Sequence, residues 1–188
     1  GRPIEVMHYD KSLKPIANQL GCTFIKRTYN ENSEILTDAC LNENGKLTAN
    51  IKNIAKYVVS YNQWGFKKQQ SMFGENDQLT LHSDGCAKVV FETDIKGNTL
   101  SKSCFGIDGN PIKIKGDAVK NTYKYDDQNN VVEISFWDEK GNLTEIDGLA
   151  ILKTDYDDFG RKTQEYYLDK MEQPIIRNDL NYYKQITQ

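Results

Sequence analysis

Cys104-Phe105-Gly106-Ile107-Asp108-Gly109-Asn110-Pro111-Ile112-Lys113-Ile114-Lys115 is the stretch that decides the fold. An apolar pair leads into an Asp/Gly/Asn turn, and a Pro-Ile step leads out. The same phrase returns along the whole chain. With Cys104 as anchor, the equivalent positions are His8, Cys40, Met72, Cys104, Phe136 and Tyr167, at steps of 32, 32, 32, 32 and 31 residues. Each is followed by an aromatic residue or leucine: Tyr9, Leu41, Phe73, Phe105, Trp137 and Leu168. A turn comes next, then Lys, Gln or Asn before Pro or Leu: Lys14-Pro15, Lys46-Leu47, Gln78-Leu79, Asn110-Pro111, Asn142-Leu143 and Gln173-Pro174.

A second turn lies half a repeat away, clearest at Tyr125-Asp126-Asp127-Gln128-Asn129. Its glycine position runs Gly1, Ser33, Gly65, Gly97, Asn129 and Gly160, with the same steps. Two independent markers on one period define a tandem array. Its units are 1–20 (partial), 21–52, 53–84, 85–116, 117–147 and 148–178, and 179–188 begins another. Gly1 falls on a turn, so the chain reads as a piece of a longer array.

Within a unit the pattern predicts two strands and a shorter third segment. The first strand starts near Cys22, Ile54, Cys86, Ala118 and Leu149 and runs about eight residues. In Ile54-Ala55-Lys56-Tyr57-Val58-Val59-Ser60-Tyr61, β-branched and aromatic residues alternate with polar ones, as a half-buried strand requires. Ala55, Tyr57, Val59 and Tyr61 mark the core face, and Lys56, Lys88, Lys120 and Lys153 mark the other. The Asp/Asn/Gly clusters tolerate positive φ and turn the chain. Three of the four prolines occupy one place after the second turn, where a missing N–H is tolerated. The fold class is therefore all-β: tandem antiparallel β-hairpin repeats of about 32 residues in an elongated sheet, curved or solenoid-like.

The 188 residues carry a net charge of −3, and 38% are hydrophobic. The mean hydropathy is −0.70. Units that bury one face, or pack in a thin layer, have such a composition. Lys and Arg are spread evenly, so no nucleic-acid groove or anionic-membrane surface is expected. No apolar run is long enough to span a membrane as a helix.

The four cysteines fall at equivalent places in two repeats, Cys22 with Cys40 and Cys86 with Cys104. Facing residues of a hairpin have a constant index sum, which places each pair opposite, or one step off, across two antiparallel strands. Two readings follow. Both pairs are disulfides, implying an oxidising compartment, or all four are reduced apolar residues standing where other repeats carry Ile54 with Met72, Ala118 with Phe136 and Leu149 with Tyr167. The even count and the pairing within a repeat favour disulfides.

The sequence offers no catalytic residue, no cofactor motif and no metal site. His8 and His82 occupy different points of the repeat, with no recurring acid or nucleophile beside them. Asp155, Asp157 and Asp158 form the densest acidic cluster but lack the alternating ligands of a calcium loop. Asn142-Leu143-Thr144 is a glycosylation sequon, meaningful only in a eukaryotic secretory host. The recurring aromatics supply the remaining candidates. Tyr125, Trp137 and Tyr156 could stack on a sugar or a choline group, although such residues are more often the core each repeat must bury.

Asp84-Gly85-Cys86-Ala87, Tyr156-Asp157-Asp158-Phe159-Gly160-Arg161 and Phe136-Trp137-Asp138-Glu139-Lys140-Gly141-Asn142-Leu143 carry a family resemblance. They resemble the tyrosine–aspartate (YD) repeats of bacterial rearrangement-hot-spot proteins and teneurin shells. They are more similar still to bacterial YD-like tandem repeats with a unit of this length. Asn62-Gln63-Trp64-Gly65 departs from the pattern by lacking the Asp. The resemblance implies an all-β array and brings no catalytic residues. Classical YD repeats have a shorter unit, so it does not imply a closed toxin-enclosing shell. The expectation is a non-enzymatic repeat module of a larger bacterial surface or secreted protein, extracellular or on the cell surface. It would bind a protein or glycan partner or act as a spacer. The alternatives are a glycan- or choline-binding module, and a scaffold or shell segment attached to an enzyme or toxin.

Overall fold

The computed structural model describes residues 2, 4–83, 85–114 and 118–176. The unit expected to begin at 179, the turn at Gly1 and the bend at Gly116-Asp117 lie outside them. Eleven strands follow in chain order: β1 Glu5–Met7, β2 Phe24–Tyr29, β3 Ile35–Leu41, β4 Lys56–Tyr61, β5 Lys67–Phe73, β6 Lys88–Thr93, β7 Thr99–Phe105, β8 Lys120–Tyr125, β9 Val131–Trp137, β10 Ile151–Tyr156 and β11 Lys162–Leu168. They form one open antiparallel sheet in sequential order, with β1 and β11 at its edges. At about 4.8 Å per strand, the sheet extends roughly 48 Å across strands only about 20 Å long.

Each complete hairpin has six paired positions and a bulge one residue before its turn, as between Thr28 and Tyr29 in β2–β3. The seam between hairpins has only three, as Thr37↔Val58, Asp38↔Tyr57 and Ala39↔Lys56 between β3 and β4. At three seams a tyrosine continues the ladder past its last pair. Tyr61 Oη donates to the Ile35 carbonyl at 2.8 Å, Tyr125 to Thr99 at 2.9 Å and Tyr156 to Val131 at 3.2 Å. The turns also stack across seams. A Cβ added to Gly97 would lie 2.7 Å from the Phe66 ring, one unit earlier.

One turn design serves the joints. In it the amide of the first residue donates to the carbonyl of the fifth, and the amide of the fourth to the carbonyl of the first. At the first joint of the second unit these bonds are Asn62 to Phe66 at 2.8 Å and Gly65 to Asn62 at 3.1 Å. The fourth residue has positive φ: Ser33 (65°), Gly65 (83°), Gly97 (92°), Asn129 (64°) and Gly160 (73°). This conformation favours Gly and Asn and explains the glycine marker. The first residue clamps its own loop. Asn62 Oδ1 accepts from the amides of Trp64 and Phe66, both at 3.0 Å. Asp138 Oδ1 does the same for Lys140 at 2.9 Å and Asn142 at 2.8 Å. One joint differs. Between Ile146 and Leu149 only Asp147 (φ 51°) and Gly148 (φ 77°) intervene, the geometry of a two-residue hairpin turn. It is one residue shorter than its counterpart between Asn50 and Ile54, and so accounts for the single 31-residue step.

Two expectations are corrected. The first strand of each unit has six residues and starts two positions late, at Phe24, Lys56, Lys88, Lys120 and Ile151. The carbonyls of Cys22, Ile54, Cys86 and Ala118 are already taken by the preceding turn, from the amides of Asn18, Asn50, His82 and Ile114. The ladder cannot begin until after them. The third segment is likewise a single bridge rather than a strand, as at Phe73↔Leu79, Phe105↔Pro111 and Trp137↔Leu143.

The core lies on the face anticipated. Ile54 (0% exposed), Met72, Cys86, Val89 and Cys104 (0%) form one buried cluster, with Tyr57, Phe91, Ile112 and Ile114 packed against it. Ile112 and Ile114 belong to the segment after the second turn, which folds back on the sheet. This strip is what a single-layer sheet needs in order to bury apolar surface.

Candidate functional site

Three sets of side chains recur with the period: the cysteine positions, the tyrosines at the seams, and a row of lysines facing aromatics. Among the described residues, no group of three or more His, Cys, Asp or Glu could hold a metal ion. Nor is any helix among the described residues long and apolar enough to cross a membrane.

The structure joins Cys22 to Cys40 and Cys86 to Cys104 as disulfides, with Cα–Cα distances of 5.1 and 5.5 Å. The register differs from the opposite or one-step-off pairing expected. In the ladder Cys40 faces Ile25 and Cys104 faces Val89. Cys22 and Cys86 sit at the bend ahead of the strand, and that bend carries them over their partners, three positions off register. Each disulfide therefore brackets a hairpin at its open end.

Tyr125 and Tyr156, two of the three candidate ligand-binding residues, use their hydroxyls to hold seams. Burial pushes the Tyr125 hydroxyl up from its ordinary pKa, as it does Tyr61. Among the acidic candidates, Asp157 Oδ1 clamps its own turn through Phe159 and Arg161, and Asp155 accepts from Tyr166 Oη at 2.8 Å. His8 lies 3.3 Å from the Asn18 side-chain nitrogen and His82 lies 3.4 Å from the Ser83 hydroxyl.

Trp137 differs. The register places Lys56 opposite Phe73, Lys88 opposite Phe105 and Lys120 opposite Trp137, all on the face away from the core. In the first two pairs the ammonium covers the ring, at 4.9 and 4.7 Å from its centroid, which is a favourable cation–π contact. Lys120 turns instead to Glu92, at 3.3 Å. The Trp137 indole N–H donates to Thr122 Oγ1 at 2.8 Å, which fixes the ring plane. A hollow opens here, lined by Phe105, Trp137, Ser103, Lys120, Thr122 and Glu139 among others; neither Tyr125 nor Tyr156 lines it. Glu92 is held below the usual carboxylate range, first by the Ser101 hydroxyl and then by Lys120. Lys120 marks the non-core face in the sequence but not a site, and Thr122 and Ser103 carry no mark of their own. The signal for them is the period-two alternation that puts all three on the face of Trp137.

No family model matches the chain, and no curated protein does. Among solved structures it is similar to a chain of the Tc holotoxin pore of Photorhabdus luminescens and to a chain of the TcdB2–TccC3 complex. Each match has 15% identity and a TM-score of 0.33 over 80% of this chain. This chain spans 9% of the length of those chains. A superposition of that quality carries neither fold nor function. The all-β architecture rests on the strands themselves.

Proposed function

We propose that the chain is a non-enzymatic repeat module of a larger bacterial surface or secreted protein, serving as a spacer or as a platform for binding. The carrying observation is the sequential order of the sheet. An unbroken meander sets the first and last strands roughly 48 Å apart at about 4.8 Å per strand. Length then scales with the number of units, whatever the surface residues are. The two disulfides support an oxidising, extracellular or cell-surface location. Small-angle scattering of the chain tests the reading. A skewed pair-distance distribution with a tail reaching beyond roughly 48 Å, at about 4.8 Å per strand, is expected; the symmetric distribution of a globular chain would overturn it.

A second reading, a glycan- or choline-binding module, has the Trp137 hollow behind it. A fixed indole beside a second aromatic ring and hydroxyl groups offers a stacking surface with hydrogen-bond partners, the usual form of a sugar site. Binding on a glycan array that is lost in Trp137→Ala and kept in Phe73→Ala is the expected result. Equal binding by both variants would remove this reading.

A further inference from the structure

A pull between the ends of this chain acts along the hydrogen-bonding direction of the sheet, because the strands follow one another in sequence. The joints it meets are unequal. A seam between hairpins is a three-pair ladder, whereas each complete hairpin is a six-pair ladder. Two of the five complete hairpins are also covalently closed. Cys22–Cys40 brackets all of β2 and most of β3, and Cys86–Cys104 brackets all of β6 and most of β7. In those hairpins tension crosses the disulfide and bypasses the strands inside it.

We infer that the module is an extension element with two classes of unit, locked and unlocked, arranged so that locked hairpins flank an unlocked one. The inference rests on the spacer reading for its biological role. Under tension the three-pair seams part first. The hairpins β4–β5, β8–β9 and β10–β11 can then open fully, while β2–β3 and β6–β7 stay paired. On relaxation β2–β3 and β6–β7 present formed edges on both sides of the gap that β4 and β5 must refill. They act as templates for a step that otherwise starts from separated chain.

The lengths are distinct enough to measure. An unlocked 32-residue unit gains about 100 Å on full extension, from about 3.5 Å per residue less two strand spacings. In a locked unit the 18-residue separation across the disulfide is withheld, and the gain falls to about 45 Å.

The test is force–extension of the full chain held by its two ends in optical tweezers, oxidised and then in excess thiol reductant. Expected in the oxidised chain are stepwise rises of the two sizes, and reductant should lengthen the total by about 120 Å. Cys22→Ala with Cys40→Ala should lengthen it by about 60 Å without reductant, separating loss of one lock from a general effect of the thiol. Refolding after relaxation should be several-fold slower once both locks are open. A single all-or-none rupture of the oxidised sheet, an unchanged total length on reduction, or equal refolding rates would each overturn the inference. A globular scattering curve alongside two intact step sizes would instead remove the spacer reading and leave the locks standing.

Discussion

Hairpins β2–β3 and β4–β5 have the same register and the same bulge position, and differ in what fills one slot. In the first, Cys22 and Cys40 are buried as a disulfide; in the second, Ile54 and Met72 are buried by packing alone. The magnitudes show why a repeat can use either. Full burial of an Ile or Met side chain is worth about 1.5–3 kcal/mol. Closing a loop of this length with a disulfide is worth about 3 kcal/mol, by restricting the unfolded chain. The slot has to hold the bend onto the end of β3 or β5, and covalent closure or methylene burial does so with similar effect. What differs is the response to conditions: one is sensitive to reductant and the other is not.

The comparison breaks most severely at Ile54. It is fully buried at the centre of the cluster that also holds Met72, Cys86, Val89 and Cys104. Ile54→Ala leaves a cavity with no covalent tie across it and is expected to cost about 2–5 kcal/mol in urea unfolding. A cost under 1 kcal/mol would mean that the slot does not hold the hairpin. Next in size is removal of the Cys22–Cys40 bond. Cys22→Ala with Cys40→Ala is expected to cost about 2–4 kcal/mol. Cys22→Ile with Cys40→Met, which copies the second unit into the first, should recover most of that loss and make unfolding of this unit indifferent to reductant. If the swap is no better than the alanine pair, the two slots are not equivalent and the comparison fails.

Much of the architecture was legible because the turns write it into the sequence. The positive-φ position holds Gly, Asn or Ser at the first joint of the units, while Leu13, Asp77 and Glu172 take it at second joints, and the clamp position is filled by Asn or Asp at most joints; together these fix period, hairpins and faces. The errors came from bonds that leave no residue signature. Strand starts were set two residues early at Cys22 and Ile54 because a turn amide captures their carbonyls. The disulfide register was missed because a bend, not the ladder, carries Cys22 over Cys40. At the candidate site, Trp137 was legible as a recurring aromatic. That its ring is uncovered while Phe73 and Phe105 are covered depends on which acid its facing lysine reaches, Glu92 in this case. Tyr125 and Tyr156 were marked by the same recurrence, and their hydroxyls hold seams.

A smaller effect separates two kinds of clamp. The clamp residue is asparagine at Asn18, Asn30, Asn42, Asn50 and Asn62, and aspartate at Asp10, Asp94, Asp126, Asp138, Asp157 and Asp169. Three of these carboxyls lie below their ordinary pKa with donors as the leading cause: the Asn130 side chain for Asp126, the Asn142 amide for Asp138 and the Arg161 amide for Asp157. A folded-state pKa below the unfolded value of about 4 contributes stability that is present above that value and lost as pH falls through the folded pKa. The asparagine clamps do not titrate. Lowering the pH from about 5 to about 2 should therefore loosen the turns at Asp126, Asp138 and Asp157 while those at Asn42, Asn50 and Asn62 hold. Amide exchange at Gln128, Lys140 and Phe159, corrected for intrinsic rate, should lose protection relative to Asn44, Lys52 and Trp64. Asp138→Asn should remove the pH dependence at its own turn alone. Equal loss at the asparagine and aspartate turns would assign acid sensitivity to the sheet as a whole rather than to its clamps.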